Sequence, residues 1–374
     1  MITITKLKRS ALLSPILAVS GIVEKNQLFP ILSHILLEKE SNRLSFLSSD
    51  AEIQIKTWIE LDSEKEQTSI KTTFPARKCI DILRSFDDQT ELAFQQSENS
   101  LNIASDHAKF KLQSLNPEEF PTLFDIGKPI AHLSVSQKIL KQLISKVQFS
   151  MAYQDVRYYF NGVFLSVEGR SLCVVATDSH RLAICKSGPV LEYDISSVQV
   201  ILPRKTVVEL LKHLSNEEDK MVDLSFYGNH IVFSFDHLEL RSKLIDGKYP
   251  DYDLVLPKGY DAQFEVDSVI MKTVLQRAAI LVDDKLKGVR LALDGDKLTV
   301  TAVNSNQEQA QETLDVINTE TVLDIGLNVT YLLDVLNNID ARKFLCQYRD
   351  GKSSVLITFA DDPQSQHIIM PMRI

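Results

Sequence analysis

The chain has 374 residues, 44% of them hydrophobic and 24% charged, with a formal net charge of −9. At roughly 100–200 residues per domain it has room for two to four domains, each able to bury its own core. The acidic balance excludes a protein that coats itself with nucleic acid through bulk positive charge, and no apolar run reaches the roughly 18 residues that a membrane-spanning helix needs.

Lys6, Lys8 and Arg9 precede the apolar run ALLSPILAVSG, which resembles the charged and apolar regions of a secretory signal. The run reads instead as a structural helix over 7–20, because the pattern returns deep in the chain as QKILKQLISKVQFS from Gln137 and SVIMKTVLQRAAIL from Ser268. The strand pattern RLSFLSSD, ending at Asp50, follows. It returns as SLCVVATD ending at Asp178 and KLTVTAVN ending at Asn304, spaced by 128 and 126 residues. FPARKCIDILRSF from Phe74 predicts a second helix, repeated as LPRKTVVELLKHL from Leu202 and GLNVTYLLDVLNNI from Gly326. Three signals in one order at one period predict three copies of one domain. Turn-rich stretches from Ser114 to Pro129 and from Lys243 to Gly259 separate them, each holding an aromatic–proline pair, Phe120-Pro121 and Tyr249-Pro250. The expected domains are 1–125, 126–253 and 254–374.

Within a copy, Leu140, Leu143, Ile144 and Val147 give a helix one apolar stripe, while Val222, Leu224 and Phe226, then Ile231, Phe233 and Phe235, alternate as half-buried antiparallel strands do. Gly228-Asn229 and Gly295-Asp296 supply tight turns. Each copy is thus strand-rich with two amphipathic helices covering one sheet face, an α+β architecture in tandem. Cys79, Cys173, Cys185 and Cys346 have no metal-ligand spacing, and neither a phosphate loop nor an HExxH or GxSxG motif is present, so no cofactor or metal is expected.

The helical segments are locally basic: Lys6, Lys8 and Arg9; Arg77, Lys78 and Arg84; Lys138, Lys141 and Lys146; Arg204, Lys205 and Lys212. One lysine-bearing helix is ordinarily just a solvated face. Repetition on equivalent helices favours a basic inner wall in an acidic body, which suits loose, sequence-independent contact with phosphates.

The stretches FPILSHILLE from Phe29, FSMAYQDVRYYFNGV from Phe149, VVATDSHRLAIC from Val174, KLIDGKYPDYDLVLP from Lys243, AAILVDDKLKGVRL from Ala278 and the terminal IIMPMRI, with the second helices above, resemble the β sliding clamps of bacterial replicative DNA polymerase over essentially the whole chain. The resemblance implies three DNA-clamp domains with antiparallel sheets outside and helices inside. It further implies a head-to-tail homodimer closed as a ring round double-stranded DNA, no catalysis, a cytoplasmic location and no membrane contact. The ring would tether the replicative polymerase, the clamp loader and repair proteins through short motifs with Leu or Phe anchors.

The same resemblance assigns residues. A partner-peptide pocket is expected from Phe160, Thr177, Ser179, His180, Arg181, Leu182, Pro250, Val255, Asn328, Tyr331, Ser354, Ile368, Met370, Pro371, Met372, Arg373 and Ile374. Two methionines flanking a proline give the soft apolar surface that suits successive partners. DNA contacts are expected from Lys25, Arg77, Gln154, Arg157, Tyr158, Tyr159, Arg204 and Lys205; subunit contacts from Lys78, Lys109, Phe110 and Leu112 against Ile280, Leu281, Glu308 and Glu312. Three positions depart from the family pattern: Asn26 stands where relatives often carry arginine, Ser179 where they often carry glycine, and Leu254 where arginine is common. Two alternatives stay open, a clamp-fold protein that recruits partners without encircling DNA and a hydrolase centred on Asp178 and His180.

Overall fold

A computed structural model describes residues 2–24, 29–61, 69–122, 127–256, 259–260, 262–283, 286–318 and 322–374. In the first repeat the order is β1 (Ile2–Lys8), α1 (Arg9–Val19), β2 (His34–Glu40), β3 (Arg43–Ser49), β4 (Ile53–Glu60), β5 (Ile70–Pro75), α2 (Ala76–Arg84), β6 (Glu91–Ser97), β7 (Ser100–Ala104) and β8 (Lys109–Gln113). The second gives β9 (Ala131–Ser136), α3 (Gln137–Ser145), β10 (Gly162–Gly169), β11 (Ser171–Thr177), β12 (Arg181–Lys186), β13 (Ile195–Pro203), α4 (Arg204–His213), β14 (Met221–Phe226), β15 (His230–Phe235) and β16 (Leu238–Lys243). The third gives β17 (Ala262–Asp267), α5 (Ser268–Ala278), β18 (Gly288–Asp294), β19 (Lys297–Val303), β20 (Gln309–Asp315), the short β21 (Ile317–Asn318), β22 (Leu323–Asn328), α6 (Val329–Asn338), β23 (Lys343–Tyr348), β24 (Val355–Phe359) and β25 (Asp362–Ile369). Apart from β21, every repeat runs β-α-β-β-β twice.

The N-terminal segment differs from the expectation. The helix begins at Arg9, and Lys6 and Lys8 lie on β1, which pairs with β6 as far as Lys8↔Glu91. Edge pairing wins over helix propensity there because the period-two pattern buries Ile4 in the core. The positive charge is also partly neutralised within the chain: Lys6 bonds Glu91 at 2.9 Å and Arg9 bonds Asp88 at 2.6 Å. The helix itself sets Leu12, Ile16 and Val19, all fully buried, against β3 and β4.

The three strand patterns that end in Asp50, Asp178 and Asn304 are β3, β11 and β19, and their last residues share one job. Each side-chain oxygen accepts backbone N–H groups of the turn beyond it: Asp50 from Glu52 at 2.8 Å and Ile53 at 2.6 Å, Asp178 from His180 at 2.9 Å and Arg181 at 3.0 Å, Asn304 from Asn306 at 3.1 Å and Glu308 at 3.0 Å. Such side-chain-to-backbone bonds mimic a turn and fix where the next strand starts. For Asp50 and Asp178 that strand, β4 or β12, pairs with a strand of the next repeat.

The strands form antiparallel sheets in the orders β1-β6-β7-β8, β5-β2-β3-β4-β16-β15-β14-β9, β13-β10-β11-β12-β25-β24-β23-β17-β21 and β20-β19-β18-β22. The two long sheets join successive repeats: β4 pairs with β16 from Ile53↔Ser242 to Thr57↔Leu238, and β12 pairs with β25 from Arg181↔Ile369 to Cys185↔Ser365. β4 and β12 hold equivalent places in their repeats, as do β16 and β25. Among the described residues the remaining members of these two sets, β20 and β8, each pair on one side only.

Sheet continuity also decides how the chain divides. It forms two compact units, residues 1–137 with 208–244 and residues 138–207 with 245–374, so the division falls inside the second repeat. In the first unit Val222, Leu224, Phe226, Ile231, Phe233 and Phe235 are all buried, as their alternation predicts. In the second, Leu140, Leu143, Ile144 and Val147 of the α3 stripe are buried likewise. Cys79 and Cys346 are fully interior, and burial pushes the Cys346 thiol up to about 12; Cys173 is half-buried with its Sγ 3.7 Å from the Tyr252 hydroxyl.

His367 on β25 is a buried polar group of the second core. It is 1% exposed, stacked at 5.8 Å on Phe149, and neither ring nitrogen has a hydrogen-bond partner. Burial, with Lys146 opposing and Asp362 favouring the charge, depresses its pKa to about 3; burial likewise lowers His34 of the first unit to about 4. Both rings take up a proton more readily unfolded than folded. Stability is therefore full above the ordinary histidine value of 6.5 and is lost as pH falls below it. His367→Phe should reduce the slope of stability against pH between about 6 and 4 by up to about 1.4 kcal/mol per pH unit. Urea unfolding at several pH values checks this, and equal slopes for both proteins would refute it.

Candidate partner-binding pocket

Within the second unit the turn between β11 and β12 forms one wall of a cleft of about 170 Å³. Thr177 donates its hydroxyl proton to the Arg181 carbonyl at 2.6 Å and accepts from the Ser179 N–H at 3.0 Å. Together with the Asp178 bonds, these force Ser179 to a φ of +73°. The serine thus adopts the left-handed conformation that glycine would take without steric cost, and its hydroxyl accepts from the Arg157 guanidinium at 3.1 Å. The equivalent Ala51 in the first repeat sits at +71°.

Arg181 braces the turn from below. Its guanidinium donates to Asp178 at 3.1 Å, Asp334 of α6 at 2.6 Å and the Phe149 carbonyl at 2.5 Å, and it lies 4.2 Å from the centre of the Tyr331 ring. Only 10% of the side chain is exposed. A charge so enclosed is held by its full set of partners, so Arg181 ties the β11–β12 turn to α6. Burial, with the nearby Asp178 carboxylate, raises the Tyr331 hydroxyl pKa. Asn328 starts the same helix, its Oδ1 accepting from the N–H groups of Thr330 at 2.9 Å and Tyr331 at 3.4 Å.

The opposite wall comes from the Tyr-Pro segment after β16. Tyr249, 6% exposed, stacks on Phe164 with centroids 4.8 Å apart and meets Phe160 edge-on at 6.2 Å. Burial pushes its hydroxyl well above the ordinary tyrosine range. Pro250, Asp251, Tyr252 and Val255 complete this side, and Leu182 and Met370 the floor. The result is an apolar slot with a polar lip, able to take one or two apolar side chains of a ligand.

Of the expected pocket residues, Phe160, Thr177, Ser179, Arg181, Leu182, Pro250, Val255 and Met370 line this cleft. Ile368 lies under it, 1% exposed. His180 is exposed, and its carbonyl accepts from the Met370 N–H at 2.9 Å. Ser354 belongs to a neighbouring depression. Asn328 and Tyr331 support the cleft from α6 without lining it. Sequence reasoning missed Tyr249, Asp251 and Tyr252; the available signal was the repeated aromatic–proline pair, which reads equally well as a linker. Both Asp178 oxygens are engaged by backbone N–H groups and Arg181, so this carboxylate serves the turn.

The tail beyond Met370 takes a separate course. The Met372 N–H bonds the Gly326 carbonyl at 2.9 Å. A Cβ added at Gly326 would collide with Ile374 and with the Met372 carbonyl, and one at Gly288 with Ile374, so two glycines make the track on which Pro371, Met372, Arg373 and Ile374 lie.

The expected DNA contacts are dispersed. Gln154 has a φ of +55°, Tyr158 is 67% exposed, and Tyr159 packs edge-on to Phe160 at 4.6 Å. Arg157 turns back, donating to Asp155 at 3.0 and 2.9 Å and covering the Phe160 ring at 4.7 Å; this hydrogen bonding holds the Asp155 pKa down to about 2. Arg204 donates to the carbonyls of Met151 at 3.2 Å and Ala152 at 3.3 Å and lies 5.7 Å from the Tyr153 ring centre, so it supports this loop. Arg77 and Lys205 are exposed on α2 and α4. Lys25 and Asn26 lie outside the described residues.

Among the expected subunit contacts, Lys78 and Lys109 are exposed and Phe110 is half-buried edge-on to Phe86 at 5.9 Å. Leu112, 6% exposed, belongs to the first unit's own core. Ile280 is 77% exposed and Leu281 half-buried; Glu308 accepts from Asn304 at 2.6 Å, and Glu312 is clasped by Arg277. Among the described residues no cluster of three metal-ligating side chains occurs.

Family models of the DNA polymerase III beta subunit match the chain three times, its N-terminal domain over residues 3–124, central domain over 134–251 and C-terminal domain over 253–373. The chain is 38% identical over 371 residues to the beta sliding clamp of Pseudomonas aeruginosa and 38% identical over 367 residues to that of Escherichia coli K12, covering 98% of this chain and 99% of the relative in both cases. A crystal structure of the DNA polymerase III subunit beta from P. aeruginosa superposes with a TM-score of 0.94 at 37% identity, and one of that organism's sliding clamp bound to griselimycin with 0.93 at 36%; each pair covers 99% of both chains.

The glycine track is open to direct test. Gly326→Ala should cost about 1–3 kcal/mol through overpacking and lift the tail from β22. Carboxypeptidase should then trim the C-terminus faster than in the unaltered chain. Unchanged trimming would show that the tail does not depend on the track.

Proposed function

Because the chain belongs to the DNA polymerase III beta subunit family, the bacterial sliding clamps, we propose that two copies close head to tail through β8 and β20 into a ring round double-stranded DNA. The chain is a DNA sliding clamp, a non-catalytic processivity factor that partners DNA and the polymerase. Its clamp domains are taken as 1–125, 126–253 and 254–374, and its place of work as the cytoplasm.

The observation that carries the ring is the unfilled third junction. β4 with β16 and β12 with β25 are edge-to-edge pairs of equivalent strands, and β20 and β8 are the corresponding strands still unpaired on one side. Unpaired edges invite pairing with another chain, and a head-to-tail contact that closes gives a ring. Lys109 and Lys111 of β8 are exposed, while Glu308 and Glu312 flank or lie on β20, which suits the pairing electrostatically. Phe110, Ile280 and Leu281 supply apolar contact, and Lys78 adds charge. Leu112 contributes from within its own protomer.

Inside the ring, Arg77, Gln154, Tyr158 and Lys205 are the described candidates for phosphate and sugar contact, with Lys25 a further one and Tyr159, Arg157 and Arg204 holding the 153–160 loop in shape. Sequence-independent contact of this kind lets a ring slide. The cleft takes the Leu or Phe anchors of short motifs from the polymerase, the clamp loader and repair proteins, and it is the place where griselimycin would bind.

Lys78→Glu combined with Leu281→Asp should convert the dimer to monomers in sedimentation while leaving the cleft intact. The unaltered chain, loaded on nicked circular DNA, should be retained and should leave once the circle is cut. A dimer unaffected by the double change would refute the β8–β20 closure, and retention on linear DNA would favour recruitment without encirclement.

A further inference from the structure

In the first unit, at the far end of β4 from the turn that Asp50 closes, lies an open groove of about 510 Å³. Leu7, Ala11, Pro15 and Ala18 with Ile59 of β4 make its apolar floor, and the chain's one tryptophan, Trp58, stands at its side.

The groove is open because two side chains of α1 are short. Aligned on their buried stripes, which begin at Leu12, Leu140 and Met271, the first helices of the three repeats carry Ala18, Lys146 and Arg277 at one position. At another they carry Ala11, Ile139 and Ile270. In the later repeats the cation spans from helix to sheet: Lys146 meets Asp362 of β25 at 2.7 Å, and Arg277 meets Glu312 of β20 at 2.9 Å. Ala18 is too short to make that crossing.

Acceptors for such a cation are nevertheless at hand. Asp236 and Glu60 stand on the rim, and Pro15 has no N–H to give to the Ala11 carbonyl. Among the described residues no lysine or arginine lines the groove, and His237, edge-on to Trp58 at 6.1 Å, is its one titratable base. Arg43, over the Trp58 ring at 5.1 Å, answers Glu60 at 3.1 Å. Lys220 reaches Asp236 only at 3.8 Å and is shared with Glu217 at 3.5 Å. Near the helix start Lys6 is paired with Glu91 and Arg9 with Asp88, while Lys8 alternates to the strand face opposite Leu7. Asp236 is therefore the least answered charge of the rim.

We propose that this groove docks a segment of a partner protein that presents a lysine or arginine beside an apolar residue. The long stem lies on the two alanines and the charged head meets Asp236, so the partner supplies in trans what Lys146 and Arg277 supply within their own repeats. The seat is independent of the cleft and of the ring, since all its residues belong to the first unit. An exposed pair of this kind adds modest, salt-sensitive affinity, and covered apolar surface adds the rest.

Trp58 reports on the groove directly. Its fluorescence in the full chain is followed at pH 8 and low salt as the acetylated, amidated tripeptide Leu-Arg-Leu, or its Leu-Gln-Leu counterpart, is added. The arginine peptide should give a saturable change and bind about threefold to tenfold more tightly than the glutamine one. Ala18→Lys, which restores the residue type of the second repeat, should abolish the response by filling the groove from within. Asp236→Asn, which suits the φ of +47° at that turn, should leave binding but remove the preference. Equal responses of the unaltered chain to both peptides would make the groove a plain apolar seat and overturn the proposal. The absence of a saturable response, or a response undiminished by Ala18→Lys, would overturn it as well.

Discussion

An unpaired strand edge is the constraint from which the rest of this molecule follows. A row of free N–H and C=O groups must be paired, covered or charged, or it recruits whatever strand it meets. Here β4 and β12 are paired by the last strand of the next repeat, so two sheets run on across the repeat boundaries. The same choice explains why the chain divides inside its second repeat: continuous hydrogen bonding holds β16 to β4 and β25 to β12. It also leaves β20 and β8, among the described residues, each paired on one side only.

What positions β4, β12 and their counterpart β20 is a single side-chain oxygen each. Asp50, Asp178 and Asn304 close the turn before β4, β12 and β20 by the same bonds to backbone N–H groups, and this is the physical content of the repeated residue at the end of each strand pattern. The strand and helix patterns were therefore legible in sequence, being period-two and period-3.6 burial plus a turn residue. The start of α1 was less so, because Leu7 and Lys8 suit either a helix or an edge strand and only pairing with β6 decides. Much of the cleft was legible through the family resemblance. Tyr249 and Tyr252 were not, since stacking on Phe164 depends on chain distant in sequence.

The charges show the limit of reading a sequence by composition. Lys146 and Lys212 look like members of a basic face, yet each meets a carboxylate of its own protein, Asp362 at 2.7 Å and Glu209 at 2.6 Å. Arg157 and Arg204 similarly support the 153–160 loop. Positive charge counted along a sequence thus divides between groups left exposed and groups that hold loops in shape.

The cleft sits where β12 pairs with β25, the second junction. At the first junction the strand paired with β4 runs on from Lys243 into covalent linker, with Leu244 and Ile245 bonded to Asn229 and Ile201. At the second, the residues after β25 turn back on the same unit: Met370 bonds the His180 carbonyl and the tail lies on Gly326. The turn facing it has changed to match: Ile53 and Gln54 stand where the second repeat has Arg181 and Leu182, and only Arg181 reaches a helix of the following repeat through Asp334. Arg181 thereby ties the turn before β12 to α6 beside the cleft.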